Sequence, residues 1–187
     1  MEKRSFVIIL NPTAGSGKAK TLEKQIRNYC DSNNINYKLH VTTHENHASE
    51  IAKQYGIQHD VCLYSIGGDG TAYEILNGIN DKVPLSIIPA GTGNDFYKMI
   101  SPNNEDIIKI IKDSINGRNV NVDYGIANNR RFLNSTTLGL DARVNDIACT
   151  VLKNKVMPKK LIYNIAAVIG VLKPKVFKIK MELDNQV

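Results

Sequence analysis

The chain has no hydrophobic run long enough to cross a lipid bilayer, and few of its residues are aromatic. A membrane-spanning helix needs about 20 consecutive apolar residues, and the run Phe6–Leu10 is too short even for the core of a signal peptide. The three cysteines are odd in number and widely spaced, which is typical of reduced thiols and matches no metal-binding pattern. The 187 residues therefore indicate a cytoplasmic protein with one large domain or a domain and a half.

Acidic residues are missing from a long stretch near the C-terminal end. Residues 1–146 carry basic and acidic side chains in equal number, whereas residues 147–187 carry eight lysines against Glu182 and Asp184. Such a stretch is either a solvated lysine-rich face or a surface that attracts a polyanion. Because only Tyr163 and Phe177 could stack on bases there, anionic lipid is favoured over nucleic acid.

Apolar runs and helical periodicity alternate four times over the first 117 residues. The predicted strands are Phe6–Leu10, Tyr37–Val41, Asp60–Ile66 and Leu85–Ile88, and the predicted helices are Lys18–Asn33, Ala48–Tyr55, Thr71–Gly78 and Glu105–Ile115. Parallel strands need crossover connections, so this alternation predicts a parallel sheet that is covered by helices on both faces.

The pattern changes after Gly117. Two alternating runs flank Asn128-Asn129, which predicts a β-hairpin. Helical material is expected over 141–172, and a half-exposed strand over 176–183 leads into a turn close to the last residue. We therefore expect a nucleotide-binding domain at 1–117 and, at 118–187, the opening of a β-rich domain that is truncated or continues in a longer chain.

Three glycine-rich segments follow predicted strands: NPTAGSG the first, GGDGT the third and PAGTGND the fourth. The carboxyl ends of parallel strands share one edge of a sheet, where ligands bind, and helix N-termini favour phosphate. Two familiar phosphate motifs do not fit. Pro12 replaces the first glycine of a Walker A loop and Ala19 replaces its Ser/Thr, while GDGTAY and GTGNDF lack the third glycine of the dinucleotide fingerprint.

Taken together and in this order, the segments NPTAGSGK, GGDGTAYEILNGI and IPAGTGNDF resemble the diacylglycerol kinase catalytic family, as does the hairpin region 122–144. That family includes sphingosine kinases and bacterial lipid kinases and is distantly related to NAD kinases. The resemblance implies an α/β fold, with an N-terminal three-layer parallel-sheet domain followed by the start of a β-rich second domain. It also implies transfer of the ATP γ-phosphoryl group to a lipid hydroxyl with Mg²⁺, diacylglycerol giving phosphatidic acid being the leading reaction.

Carried over position by position, the resemblance implies a set of nucleotide-binding residues. They are Asn11, Pro12, Thr13, Ala14, Gly15, Thr42 (with Thr43 as an adjacent rival), Gly67, Gly68, Asp69, Gly70, Thr71, Glu74, Gly91, Thr92, Asn94 and Asp95. Asp69 is also the candidate for binding Mg²⁺ or orienting the lipid hydroxyl, against a purely structural role in a tight turn. The chain departs from the family at Ala72-Tyr73, where relatives often have Leu-Asn, so the role of Tyr73 stays open.

The family's general base and structural Mg²⁺ site lie in the second domain, past Val187. The chain is therefore expected to bind nucleotide but to catalyse phosphoryl transfer slowly, since the loss of a general base lowers the rate about 10²–10⁴-fold. The expected partners are a membrane lipid substrate and, through the lysine-rich region 153–180, the anionic inner face of the membrane, without nucleic acid; a homodimer is left open. The rival functions are a kinase for a soluble acceptor such as NAD and a non-catalytic nucleotide- or lipid-binding fragment.

Overall fold

The computed structural model describes residues 5–58, 60–101, 106–152 and 159–172, together with Lys178 and Lys180. The chain divides into two compact units, Met1–Ser135 and Thr136–Val187. The predicted hairpin lies in the first unit, and the domain boundary predicted at residue 117 stays a prediction. The strand predicted over 176–183 lies outside the described residues, apart from the two exposed lysines, which have no regular secondary structure.

The first unit alternates strands and helices, as the sequence predicts. Its elements are β1 (Ser5–Leu10), α1 (Lys18–Ser32), β2 (Tyr37–Val41), α2 (His47–Tyr55), β3 (Val61–Gly67), α3 (Asp69–Leu76), β4 (Leu85–Pro89), α4 (Asp95–Ile100), α5 (Ile107–Asn116), β5 (Gly125–Ala127) and β6 (Arg130–Phe132). The first four strands form one parallel sheet in the order β2-β1-β3-β4. The α/β fold class with a parallel sheet is confirmed.

Two apolar cores lie on opposite faces of this sheet, because successive side chains of a strand point to opposite sides. Ile8 and Leu10 of β1 pack in the core that contains residues of α1 and α5. Val7 and Ile9 pack in the other core, with residues of α2 and α3. The sheet is therefore the middle of three layers, and β3, one of its two inner strands, is buried along its whole length.

Two local features differ from the sequence predictions. Helix α3 begins at Asp69 rather than Thr71, so Asp69 and Gly70 lie in its first turn and not in the preceding loop. A short helix, α4, and a 3₁₀ turn, Ala14–Gly17, occupy segments where no element was predicted. Both are too short to carry a periodic signal in the sequence.

The β5–β6 hairpin turns at Asn128-Asn129, as predicted, and both residues have positive φ, 48° and 63°. Asparagine tolerates this left-handed conformation, which two-residue hairpin turns need. The hairpin is tied to the end of α3 by Asn77, whose side chain accepts from the N–H of Arg131 at 2.9 Å and donates to its carbonyl oxygen at 3.0 Å.

The Arg131 side chain extends this attachment. Its guanidinium donates to the carbonyl oxygen of Ile79 at 2.8 Å, pairs with Asp81 at 3.2 Å and lies over the ring of Tyr124. The hydrogen bond from the Tyr124 hydroxyl to Asp81 raises the pKa of that tyrosine. The position of the hairpin is thus fixed to the segment that follows α3.

The second unit contains two packed helices, α6 (Leu140–Leu152) and α7 (Lys159–Leu172). They confirm the helical prediction over 141–152 and 159–172, and residues 153–158 lie outside the described residues. Ala148, Ile162 and Ala166 form its small core. No helix within the described ranges has both the length and the apolar character to cross a bilayer.

Candidate functional site

Three glycine-rich segments meet at the edge formed by the carboxyl ends of the parallel strands. They are residues 11–17 after β1, 67–71 from the end of β3 to the start of α3, and 89–95 from the end of β4 to the start of α4. We call them together the glycine rim. The first two are joined by a hydrogen bond from the Asn11 amide to the Thr71 hydroxyl, at 3.1 Å. The second and third are joined through the N–H of Ala90, which donates to the carbonyl oxygen of Gly67 at 2.8 Å. The predicted convergence of the loops is confirmed.

Two glycines of the rim are required by close backbone contact. Gly15 has a φ of +60°, and a Cβ there would overlap the carbonyl oxygen of Ala90. A Cβ on Gly91 would overlap the Cα of Gly68 and lie 2.8 Å from the Asn94 amide oxygen. These positions keep the three loops close together.

Gly70 has no such structural reason to be glycine. It lies in the first turn of α3 with an ordinary negative φ, and a Cβ built there meets no heavy atom within 4 Å. Glycine in a helix costs about 1 kcal/mol relative to alanine. A position that tolerates a side chain but lacks one is typical of a backbone that a ligand approaches closely.

The two acidic side chains of α3 reach the N-termini of the neighbouring helices. Both carboxylate oxygens of Asp69 accept hydrogen bonds at the start of α4, from the N–H of Asp95 at 3.1 Å and of Phe96 at 3.2 Å. Glu74 accepts from the N–H of Ala48 in the first turn of α2, at 3.1 Å. Sequence reasoning missed these capping roles.

The N-termini of α1 and α3 differ from those of α2 and α4. Their N-cap residues are Gly17 and Gly68, which have no side chain to cap the first N–H groups. Anions are stabilised by the free N–H groups and the dipole at such helix ends. The carboxylates of Glu74 and Asp69 already accept from N–H groups of α2 and α4. No side chain caps α1 or α3, so these two of the four N-termini suit a phosphate.

Two carboxylates of the rim are placed where a hydrated Mg²⁺ could bind. Both carboxylates lie next to Gly93. An ideal Cβ built on this glycine would be 3.2 Å from an oxygen of Asp69 and 3.5 Å from an oxygen of Asp95. Among the described residues there is no group of three or more His, Cys, Asp or Glu side chains that could hold a metal ion. Mg²⁺ in nucleotide sites is usually held by one or two carboxylates plus phosphate oxygens and water. The residues present fit that arrangement.

The loop after β2 reaches the same edge of the sheet. Thr42 is buried and donates its N–H to the carbonyl oxygen of Leu10, whereas Thr43 is exposed and its hydroxyl lies 3.0 Å from His44 Nδ1. The rings of His44 and His47 are stacked, with centroids 4.5 Å apart. Thr43 therefore offers a more accessible hydroxyl than Thr42.

Most of the predicted nucleotide-binding residues lie in the glycine rim. They are Asn11, Pro12, Thr13, Ala14, Gly15, Gly67, Gly68, Asp69, Gly70, Thr71, Gly91, Thr92, Asn94 and Asp95. Thr42 lies after β2, and Glu74 lies in the second turn of α3. Their roles in binding stay predictions.

An apolar cleft opens beside Asp69, on the side of α3 that faces the hairpin. Its volume is about 120 Å³, and its lining residues are Asp69, Ala72, Tyr73, Phe96, Phe132, Leu133, Asn134 and Ser135. Apart from Asp69, the sequence predicts no functional role for these lining residues. Tyr73 differs from the residue that relatives often have at this position, but the sequence assigns it no role.

The glycine rim lies within a stretch of sequence that matches a known protein family. The family model described as the diacylglycerol kinase catalytic domain matches residues 5–127, which contain the whole rim and the first strand of the hairpin. The chain belongs to the diacylglycerol kinase catalytic family. Among its relatives, the chain is 32% identical to "Diacylglycerol kinase" of Bacillus subtilis strain 168, over 68% of this chain and 43% of that protein.

Other members of the family are similar to the same extent. A diacylglycerol kinase of Staphylococcus saprophyticus is 32% identical over 100% of this chain and 61% of its own length. The crystal structure of a diacylglycerol kinase from Bacillus anthracis strain Sterne is similar with a TM-score of 0.58 at 28% identity, covering 71% of this chain and 48% of that one. The chain thus spans about half the length of the diacylglycerol kinases that it matches.

Proposed function

We propose that this chain is the nucleotide-binding part of an ATP-dependent lipid kinase that transfers the γ-phosphoryl group to a lipid hydroxyl. Diacylglycerol, giving phosphatidic acid, is the proposed acceptor. Membership of the diacylglycerol kinase catalytic family supports the proposal. The observation that carries it is the first turn of α3, where Gly70 has room for a side chain and Gly68 leaves the N–H groups uncapped.

In this proposal the chain acts mainly by positioning, because phosphoryl transfer needs little covalent chemistry from the protein. The main-chain N–H groups at the start of α3 and in the glycine rim bind the phosphates of ATP. The acceptor oxygen bonds to the γ-phosphorus, the bond from that phosphorus to the β–γ bridging oxygen breaks, and ADP leaves. The hydroxyl proton goes to a general base that we place beyond Val187, in a part of the protein that this chain does not include.

Asp69 and Asp95 are the residues that would hold Mg²⁺, which when bound neutralises negative charge on the phosphates. Asp69 also lines the apolar cleft. Its carboxylate is held in place by two N–H groups of α4, so it can orient a hydroxyl group without first being ordered itself.

The proposal predicts phosphoryl transfer by the full-length protein. Purified protein with Mg²⁺ and γ-labelled ATP is expected to label diacylglycerol in mixed micelles and to leave NAD unlabelled. A sphingoid base and phosphatidylglycerol serve as alternative lipid acceptors. Label on NAD alone would favour the soluble-acceptor kinase. ATP binding without label on any acceptor would favour a non-catalytic nucleotide-binding protein.

We further propose that the second unit brings the enzyme to the anionic cytoplasmic face of the membrane, through the lysine-rich region 153–180. Lys178 and Lys180 are exposed, and Leu161, Val168 and Leu172 of α7 are exposed apolar side chains. Exposed lysines and exposed apolar side chains each favour contact with an anionic lipid surface, and the second unit has both.

Vesicle binding tests this surface. The protein is expected to sediment with phosphatidylglycerol vesicles, not with phosphatidylcholine vesicles, and to be released by salt. Changing Lys178 and Lys180 to glutamate should weaken binding at least tenfold, because each lysine near such a surface contributes about 1 kcal/mol. The matched control changes Lys20 and Lys24, which are exposed on α1, to glutamate. An equal loss in both double variants would show that net charge, and not this region, attracts the vesicles.

A further inference from the structure

The apolar cleft beside Asp69 is a feature that nucleotide binding leaves unused. Three of its lining residues, Asp69, Asn134 and Ser135, are polar, and the other walls are aromatic or aliphatic, with Phe96 on α4, Phe132 and Leu133 after the hairpin turn, and Tyr73 on α3. A carboxylate beside apolar walls suits a ligand that carries a hydroxyl group next to hydrocarbon. Such a ligand would have its polar end at the glycine rim and its apolar part away from it.

We propose that this cleft holds the carbon atoms next to the reacting hydroxyl of the acceptor lipid, and that Tyr73 determines which acceptors fit. The inference rests on the proposed function, because it places the acceptor beside the phosphate-binding loops. A cavity of about 120 Å³ has room for a few water-sized groups and not for an acyl chain. The cleft therefore binds the head of the lipid, whether glycerol or sphingoid base, and leaves the chains outside.

Tyr73 forms a partly exposed wall of the cleft. Its side chain is 39% exposed, although its neighbours Thr71 and Ala72 are buried. Within the described part of the chain its hydroxyl has no hydrogen-bond partner, while its carbonyl oxygen accepts from the Asn77 amide at 2.9 Å. A tyrosine at the edge of a site contributes a large apolar ring and a free polar group. The ring can cover the acceptor carbons, and the hydroxyl can donate to a second polar group of the lipid head.

The opposite wall is fixed. The ring of Phe132 packs over Gly125 so closely that a Cβ on Gly125 would overlap it, and the hairpin is tied to α3 through Asn77 and Arg131. Phe96 donates its N–H to the Asp69 carboxylate at 3.2 Å, so one apolar wall and the acid are held together. An acceptor carbon against Phe96 would thus have its hydroxyl close to Asp69.

Three variants of the full-length protein test the proposal: Tyr73→Ala removes the ring, Tyr73→Phe removes only the hydroxyl, and Leu133→Ala enlarges the cleft from the other side. The control is Ile57→Ala, which removes a 77% exposed apolar side chain at the opposite edge of the sheet. Initial rates are measured in mixed micelles with a short-chain diacylglycerol and with a sphingoid base, at varied lipid and varied ATP.

The expected result is a change in the acceptor kinetics alone. Tyr73→Ala and Leu133→Ala should raise KM for the preferred lipid about tenfold, since lost contacts in an apolar pocket cost about 10–200-fold in specificity, while KM for ATP stays within about twofold. Tyr73→Phe should raise KM for the lipid whose head group accepts from the tyrosine hydroxyl, and so reduce the ratio of kcat/KM between the two lipids. The Ile57→Ala control should have the same KM for lipid and for ATP as the natural protein.

Other outcomes would overturn the inference and leave the proposed function standing. Unchanged lipid KM in both alanine variants would show that the acceptor lies elsewhere, and equal losses for lipid and ATP would show only a general structural defect. If the natural protein labels no lipid at all, the proposed function itself fails.

Photolabelling gives a second readout that does not depend on turnover. A diacylglycerol analogue with a photoreactive diazirine close to its hydroxyl carbon is expected to label peptides that contain residues 69–73 or 132–135. Labelling should fall when Tyr73 is replaced by alanine. Labelling confined to other peptides would contradict the placement of the acceptor.

Discussion

Replacing Asp69 with alanine is expected to lower the rate of phosphoryl transfer by about 10²–10³-fold, the range found when one fixed polar group is removed from a transition state. The same change removes two hydrogen bonds from the start of α4, so it should also destabilise the protein by about 1 kcal/mol. The loss of activity is therefore expected with a protein that is still folded. Transfer rates and urea denaturation curves measure the two effects separately.

A matched control separates capping from chemistry. Asp106 also accepts two N–H groups at the start of a helix: as the N-cap of α5 it accepts from Ile108 at 2.7 Å and from Lys109 at 3.3 Å. Asp106→Ala should cost a similar free energy of unfolding and retain transfer activity within about twofold when the protein is folded. If both alanine variants lose activity to the same extent, Asp69 acts only through the stability of its helix.

Replacing Gly70 with alanine is expected to change stability and nucleotide binding in opposite directions. The protein should gain about 1 kcal/mol, because alanine is the better helix former and the new Cβ meets no neighbour. That gain corresponds to a Tm about 2–4 °C higher. ATP should bind about ten- to a hundredfold more weakly, since the methyl group displaces a charged oxygen from a main-chain hydrogen bond. Calorimetric titration and thermal denaturation provide the two measurements.

Gly91→Ala provides the contrast. A Cβ at that position would overlap Gly68, so this variant should lose both stability and ATP affinity. Unchanged ATP affinity in Gly70→Ala would contradict the placement of the phosphates at the start of α3, even if the protein proves more stable.

Features that depend on short stretches of chain could be predicted from the sequence. The apolar run that forms β1 and the Asn128-Asn129 turn each carry their own local signal. The meeting of the glycine-rich loops follows from the same information, because parallel strands have their carboxyl ends at one edge. These signals were sufficient for the sheet, the hairpin and the glycine rim.

Features that depend on distant pairs could not be predicted. The caps provided by Asp69 and Glu74 join residues 26 or 27 positions apart, and neither acid is next in sequence to the helix that it caps. The cleft depends on the contact between Asn77 and Arg131, 54 positions apart. A single sequence gives no measure of such pairs, so it predicts a ligand-binding role or a local turn role for Asp69 and a ligand-binding role for Glu74, and no helix cap for either.

Helix α3 is only eight residues long, and Asp69 is its first residue while Asn77 follows its last. A helix of that length is about 12 Å long and does not stretch. It therefore acts as a spacer of constant length between the acid at one end and the hairpin attachment at the other. If binding of a triphosphate tilts α3, Asp69 and the hairpin should move together. The cleft between them, where we place the acceptor lipid, should then keep its width during that motion.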